Sequence, residues 1–222
     1  YLADYTLERV EVDLTETERE MYQREREIYT NFRRKMNLPY GQEGWRLFLI
    51  QSARSEDGRR AMKAYRNYKK IALGTEAKLH VLQDLLIRHR NDKTLIFTAE
   101  NEMVYRISND YLVPAITHET NVKERKFWLD AFNGGNVLAL ATSKVLNEGV
   151  NIPDASVAII LSGSGSSREH IQRLGRILRK KGDKQAVLYE VVTRNTTEEY
   201  ISQKRTDARQ FQDKGKEKGL FE

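Results

Sequence analysis

The chain has 222 residues, 39% hydrophobic and 32% charged, a mixture that can bury a core and excludes global disorder. It contains no cysteine, which excludes disulfides and thiolate metal sites, and its four histidines show no paired ligand spacing. The formal charge of +6 and a pI of about 9.4 suit a nucleic-acid partner, and equally a soluble protein that is merely basic. No apolar run reaches the roughly 18 residues of a membrane span. The start, Tyr1-Leu2-Ala3-Asp4, predicts no signal peptide, and a reducing interior is the natural setting.

Residues 1–15 read as an extended lead-in, with alternation through Glu8-Arg9-Val10-Glu11-Val12-Asp13-Leu14. From Thr15 to about Arg90 the pattern is helical. Thr15-Glu16-Thr17-Glu18 is a capping box, in which hydroxyl and carboxylate each satisfy an orphan backbone donor. The helix behind it is dense in opposed charges, with Glu20 and Arg24 in the favourable i,i+4 order. Pro39-Tyr40-Gly41 breaks it. Further helices are expected near 45–54, 57–71 and 75–90. On the third of these four helices Arg59, Lys63, Arg66 and Lys70 share a face, and Met62, Tyr65 and Ile71 lie towards other faces. That row of cations suits a run of phosphates, and a solvated surface equally well.

After Asp92 the rhythm becomes strand and helix in alternation. Lys93–Thr98, Val137–Ala141, Val157–Leu161 and Ala186–Val192 are apolar runs of strand length. Asn121-Val122-Lys123-Glu124 caps a helix ending near Phe132, and Thr196-Thr197-Glu198-Glu199 opens the last one with a second capping box. Continuous apolar strands separated by helices predict an α/β fold with a parallel sheet covered on both faces. The tail from about Asp207 is polar and is expected to fray.

Two segments carry chemistry. In Arg168–Arg179, helical spacing puts Arg168, Gln172, Arg176 and Arg179 on one face and Ile171, Leu174 and Leu178 on another. The apolar face can anchor on the sheet. The other offers guanidiniums, which fork onto phosphate in a way Lys cannot copy. A solvated basic face is the competing reading. The second segment, Ala141–Pro153, is a strand end opening into a loop, where open parallel sheets place ligands. There Thr142 and Ser143 bring hydroxyls, Lys144 a charge, and Gly149 a tight turn. An ordinary strand–loop–strand connection would look similar.

The pattern Gln-x-x-Gly-Arg-x-x-Arg at Gln172, Gly175, Arg176 and Arg179 resembles motif VI of superfamily 2 helicases, and the wider string Gln172–Lys181 resembles the XPB branch. Ala141–Pro153 resembles motif V, Leu95-Ile96-Phe97-Thr98 motif IV, and Ile116–Thr120 with Glu124-Arg125 the XPB-branch stretch before motif V. The resemblance implies a second RecA-like motor domain of the P-loop type, at 73–206. A helical thumb-like insertion is expected at 16–72, a lead-in from a first motor domain at 1–15 and a charged tail at 207–222. It implies that Arg176 and Arg179, with Gln172, Gly149 and Asn151, meet ATP and its Mg²⁺ held mainly on the first motor domain. Where the family has Asp this chain has Asn151, which can hydrogen-bond but carries no charge. DNA contacts are implied at Thr98, His118, Thr142, Ser143 and Lys144, with Arg59, Lys63, Arg66 and Lys70 on the thumb. Arg125 is expected in a structural ion pair.

No Gly-x-x-x-x-Gly-Lys-Ser/Thr and no Asp-Glu-x-His occur, so the chain is expected to hydrolyse no ATP alone. The resemblance implies duplex opening in nucleotide excision repair, and in transcription where an assembly like TFIIH exists. It also implies a repair-nuclease partner and a setting in cytoplasm or nucleoid, or in the nucleus of a eukaryote. A non-catalytic DNA-binding module and a nuclease-binding scaffold remain alternatives.

Overall fold

The structure, a computed structural model, describes residues 5–143, 154–162, 178 and 185–202. The chain forms two compact units, residues 13–75 and residues 1–12 with 76–222. Among the described residues no helix is long and apolar enough to cross a membrane.

Residues 13–75 hold α1 (Glu16–Lys35), α2 (Gln42–Arg54) and α3 (Glu56–Gly74). The expected capping box starts α1: the Thr15 hydroxyl accepts from Glu18 N, and the Glu18 carboxylate accepts from Thr15 N. Arg24 does not take Glu20; it approaches Glu25 at 3.9 Å. A single residue, Ser55, separates α2 from α3 and caps α3 by accepting from Gly58 N. Apolar residues at helical spacing turn inward as a ring cluster of Tyr22, Tyr29, Phe32, Phe48 and Tyr68, with Trp45 and Tyr65 at its margin. Ala61, Ala64 and Ala72 let α3 approach closely.

Among the described residues the other unit is built on a six-stranded sheet in the order β1-β6-β5-β2-β4-β3. The strands are β1 (Tyr5–Val12), β2 (Thr94–Phe97), β3 (Ala115–Ile116), β4 (Ala139–Thr142), β5 (Val157–Ile160) and β6 (Ala186–Thr193). Every pairing is parallel, as expected from continuous apolar strands. The alternation read as a lead-in is an eight-residue edge strand paired with β6 along its whole length.

Side chains alternate between two covered faces. Leu95, Leu140, Ala158, Ile160 and Leu188 pack with Leu129 and Phe132 of α6 (Val122–Asn133). On the other side Ile96, Ala141, Ile159 and Val191 pack with α4 (Glu76–Arg88) and α5 (Asn101–Tyr111). The expected Asn121 cap starts α6, accepting from Glu124 N at 2.9 Å.

The second capping box is shifted by one residue. Residues 197–202 are helical, and the Thr196 hydroxyl accepts from Glu198 N. The Glu199 carboxylate reaches back past Thr196 to accept from Asn195 N at 2.7 Å. Glu198 turns inward instead.

Candidate functional site

In an all-parallel sheet the loops that can meet a ligand gather at the carboxyl ends of the strands. Here four neighbouring strands end in hydroxyl residues, in spatial order Ser162 after β5, Thr98 after β2, Thr142 and Ser143 at the end of β4, and Thr117 after β3. All are buried. Their hydroxyls shape the turns: Thr98 donates to the Glu100 carbonyl at 2.8 Å, and Thr142 to the Ser143 carbonyl at 3.0 Å. Ser162 accepts from Ala99 N at 2.8 Å, and Thr117 accepts from Glu119 N. Thr142 is 0% exposed, so its hydroxyl is held inside this network.

The loop after β3 is the outward part of the edge. Tyr105 on α5 donates to Glu119 and shares a hydrogen bond with the Thr117 hydroxyl at 2.9 Å. Asn101 at the start of α5 meets His118 Nδ1 at 2.8 Å. The His118 side chain is itself 69% exposed. The Glu119 carboxylate accepting from the Tyr105 phenol raises that phenol's pKa above its ordinary value. Arg125 departs from expectation. It donates to the carbonyls of Thr117 and Thr120, because the turn leaves those oxygens unused by any strand.

Two helices begin at this edge, α5 after β2 and α6 after β3. The Asn121 side chain caps α6, whereas the start of α5 has no side-chain cap. The amino end of α5, beside Thr98, therefore presents the positive end of its helix dipole, which favours a phosphate.

In the helical unit Arg59, Lys63, Arg66 and Lys70 all lie exposed on α3, with Met62, Tyr65 and Ile71 half-buried behind them. Lys144, Gly149, Asn151, Gln172, Arg176 and Arg179 lie outside the described residues. Leu178 is described. It is buried in the sheet core, as expected of an anchoring face, and forms a parallel bridge to Ala155. Among the described residues there is no group of three or more His, Asp or Glu that could hold a metal ion.

Sequence reasoning missed Thr117 and Ser162 as members of the hydroxyl row, and Asn101 and Tyr105 as its supports. For Ser162 the signal was available, since β5 is an apolar run closed by Ser; Thr117 follows a two-residue strand too short to give one.

Residues 77–181 match the helicase conserved C-terminal domain family. The chain is 35% identical over 93% of its length to a protein of Sulfurisphaera tokodaii named DNA 3'-5' translocase XPB2, covering 47% of it. It is 40% identical over 55% of its length to the DNA 3'-5' helicase XPB of Kineococcus radiotolerans, covering 22% of that protein. Residues 77–181 thus carry a helicase conserved C-terminal domain, and the chain is similar over most of its length to an XPB-type superfamily 2 helicase. It spans less than half the length of either relative. Its fold is similar to the Sulfolobus solfataricus SWI2/SNF2 ATPase core in complex with dsDNA, at a TM-score of 0.62 and 18% identity over 91% of this chain and 44% of that one. The helicase C-terminal domain supplies a RecA-like sheet whose carboxyl edge carries the described candidate residues Thr98, His118, Thr142 and Ser143.

Proposed function

We propose that the chain is the second motor domain of an ATP-driven 3'–5' DNA helicase or translocase that opens duplex DNA for nucleotide excision repair and transcription. The observation that carries this reading is the hydroxyl-lined carboxyl edge of an all-parallel sheet, lying within the span that matches the helicase C-terminal family. The names of the XPB relatives, a 3'-5' translocase and a 3'-5' helicase, support this direction of travel.

In this reading a first RecA-like domain holds ATP and Mg²⁺ on its P-loop. Arg176 and Arg179 reach the γ-phosphate as arginine fingers, worth about 10³–10⁵ in rate, with Gln172, Gly149 and Asn151 beside them. The DNA backbone runs along Thr98, His118, Thr142, Ser143 and Lys144. Because the Thr98 and Thr142 hydroxyls are spent on their own loops, they act by aiming main-chain N–H groups at phosphates. Arg59, Lys63, Arg66 and Lys70 form a thumb-like outer contact. Alone, the chain hydrolyses no ATP, for want of a P-loop. A repair nuclease is the expected protein partner.

The test joins this chain in one polypeptide to a P-loop-bearing first motor domain of the XPB type. ATP hydrolysis is then measured with and without DNA. The expected result is DNA-stimulated hydrolysis that neither part shows alone. Hydrolysis no greater than that of the first domain alone contradicts the reading.

A further inference from the structure

Lys78 is the most thoroughly buried charge described, 0% exposed in the first turn of α4. Both features are unfavourable: burial strips its water, and the amino end of a helix repels a cation. Its Nζ donates to both carboxylate oxygens of Glu198 at 2.7 Å and to the main-chain carbonyl of Leu161. Glu198 also accepts from Thr193 N at 3.0 Å.

The position of these contacts is informative. Leu161 lies just past the end of β5, and its neighbour Ser162 is fastened to Ala99 in the β2–α5 loop. The stretch bearing Gln172, Arg176 and Arg179 follows directly in sequence. Thr193 ends β6, and the next residue, Arg194, donates to the carbonyl of Val12, where the chain leaves the sheet for residues 13–75. Lys78 itself stands three residues after Thr75, where the chain returns. The 193–198 turn thus holds the end of β5 and both points of departure and return.

We propose that Lys78 and Glu198 are positioning residues, an ion pair that fixes the carboxyl end of β5 so that the segment after it starts from one defined place. The pair is not needed for stability. A buried ion pair replaced by apolar side chains of like volume commonly leaves stability unchanged or raised. What Met and Leu cannot copy is the bridge from the 193–198 turn to the Leu161 carbonyl.

This inference rests on the motor reading for its effect on catalysis, but not for its effect on structure, and the experiment separates the two. In the full 222-residue chain, Lys78→Met with Glu198→Leu is compared with the parent by amide hydrogen exchange. The N–H of Leu161, which bonds the Phe97 carbonyl, and that of Ala99, which bonds Ser162, should exchange about tenfold faster. Amides in the middle of α6 should keep the parent rate. Equal rates at Leu161 and Ala99 overturn the proposal, as does a uniform rise everywhere, which marks plain destabilisation. If the double variant does not fold, Lys78→Gln with Glu198→Gln, which removes both charges and leaves neither ion unpaired, is read the same way. In the joined two-domain protein, the same variants should lower kcat about tenfold with KM for ATP unchanged. Parental kcat in an active joined protein overturns the positioning role. A joined parent without activity counts against the motor reading only, and the exchange rates then decide this one.

Discussion

Residues 13–75 are packed with rings, whereas the sheet unit is packed with Leu, Ile and Val. In the helical unit Tyr29 touches Phe48, Tyr65 and Tyr68, with centroids 5.1–5.6 Å apart, and Phe48 also meets Phe32 and Trp45. The sheet core stacks aliphatic side chains in two layers, one on each face. The difference has a consequence for how each can fail. A ring cluster among three helices depends on a few large residues and on backbone approaches that only glycine and alanine permit. The sheet spreads its stability over many small contacts and leaves its strand ends open for chemistry. Damage to the helical unit should therefore register as lost stability, and damage at the strand ends as lost activity.

The largest expected effect is on Phe48, which is 0% exposed at the centre of the rings. Phe48→Ala should cost about 3–5 kcal/mol, read as a lower midpoint in urea. A cost below about 1 kcal/mol would mean the rings are loosely packed. Next comes Gly44, where an added Cβ would lie 1.6 Å from the Pro39 carbonyl oxygen, and Gly58, where it would lie 2.6 Å from that of Gln51. Ala at either should cost about 1–3 kcal/mol by overpacking. Ser55→Ala removes the cap that alone divides α2 from α3 and should cost about 1 kcal/mol.

The exposed face of α3 should behave in the opposite way. Ala at Arg59, Lys63 or Arg66 should leave the melting temperature within the range of a change of about 0.5 kcal/mol. Each should reduce the salt slope of DNA binding by about 1. An unchanged slope would return that face to a merely solvated surface.

The smallest effect concerns pH. The Lys35 ammonium, 2.9 Å from Asp57, holds that carboxyl below its ordinary value. A lowered folded-state pKa stabilises above the unfolded value, and the gain vanishes as pH falls through the folded one. The parent and Asp57→Asn should thus differ near neutrality and converge in acid. Both partners are exposed, so the difference should be small and should shrink with added salt.

The fold was largely legible in the chain. Thr15 with Glu18 and Asn121 with Glu124 mark helix starts because capping uses side chains close in sequence. The buried strands β2, β4, β5 and β6 read directly from apolar runs because both sheet faces are covered. Helix α5 was not anticipated: its start lacks a side-chain cap, and Ser108-Asn109-Asp110 near its end resembles a turn. Nor was the two-residue strand β3, too short to show a period. Of the candidate site, individual strand-end residues were visible but their alignment into one row was not, since that alignment is a property of strand order. Lys78 was hidden for the same reason. One Lys in an amphipathic helix reads as solvated until Glu198, distant in sequence, is found against it.

The most direct test of the motor account is Arg176→Ala in the joined two-domain protein, with ATP hydrolysis and DNA binding measured together. The account predicts that DNA-stimulated hydrolysis is abolished while DNA binding persists. Hydrolysis at the parental rate would contradict it.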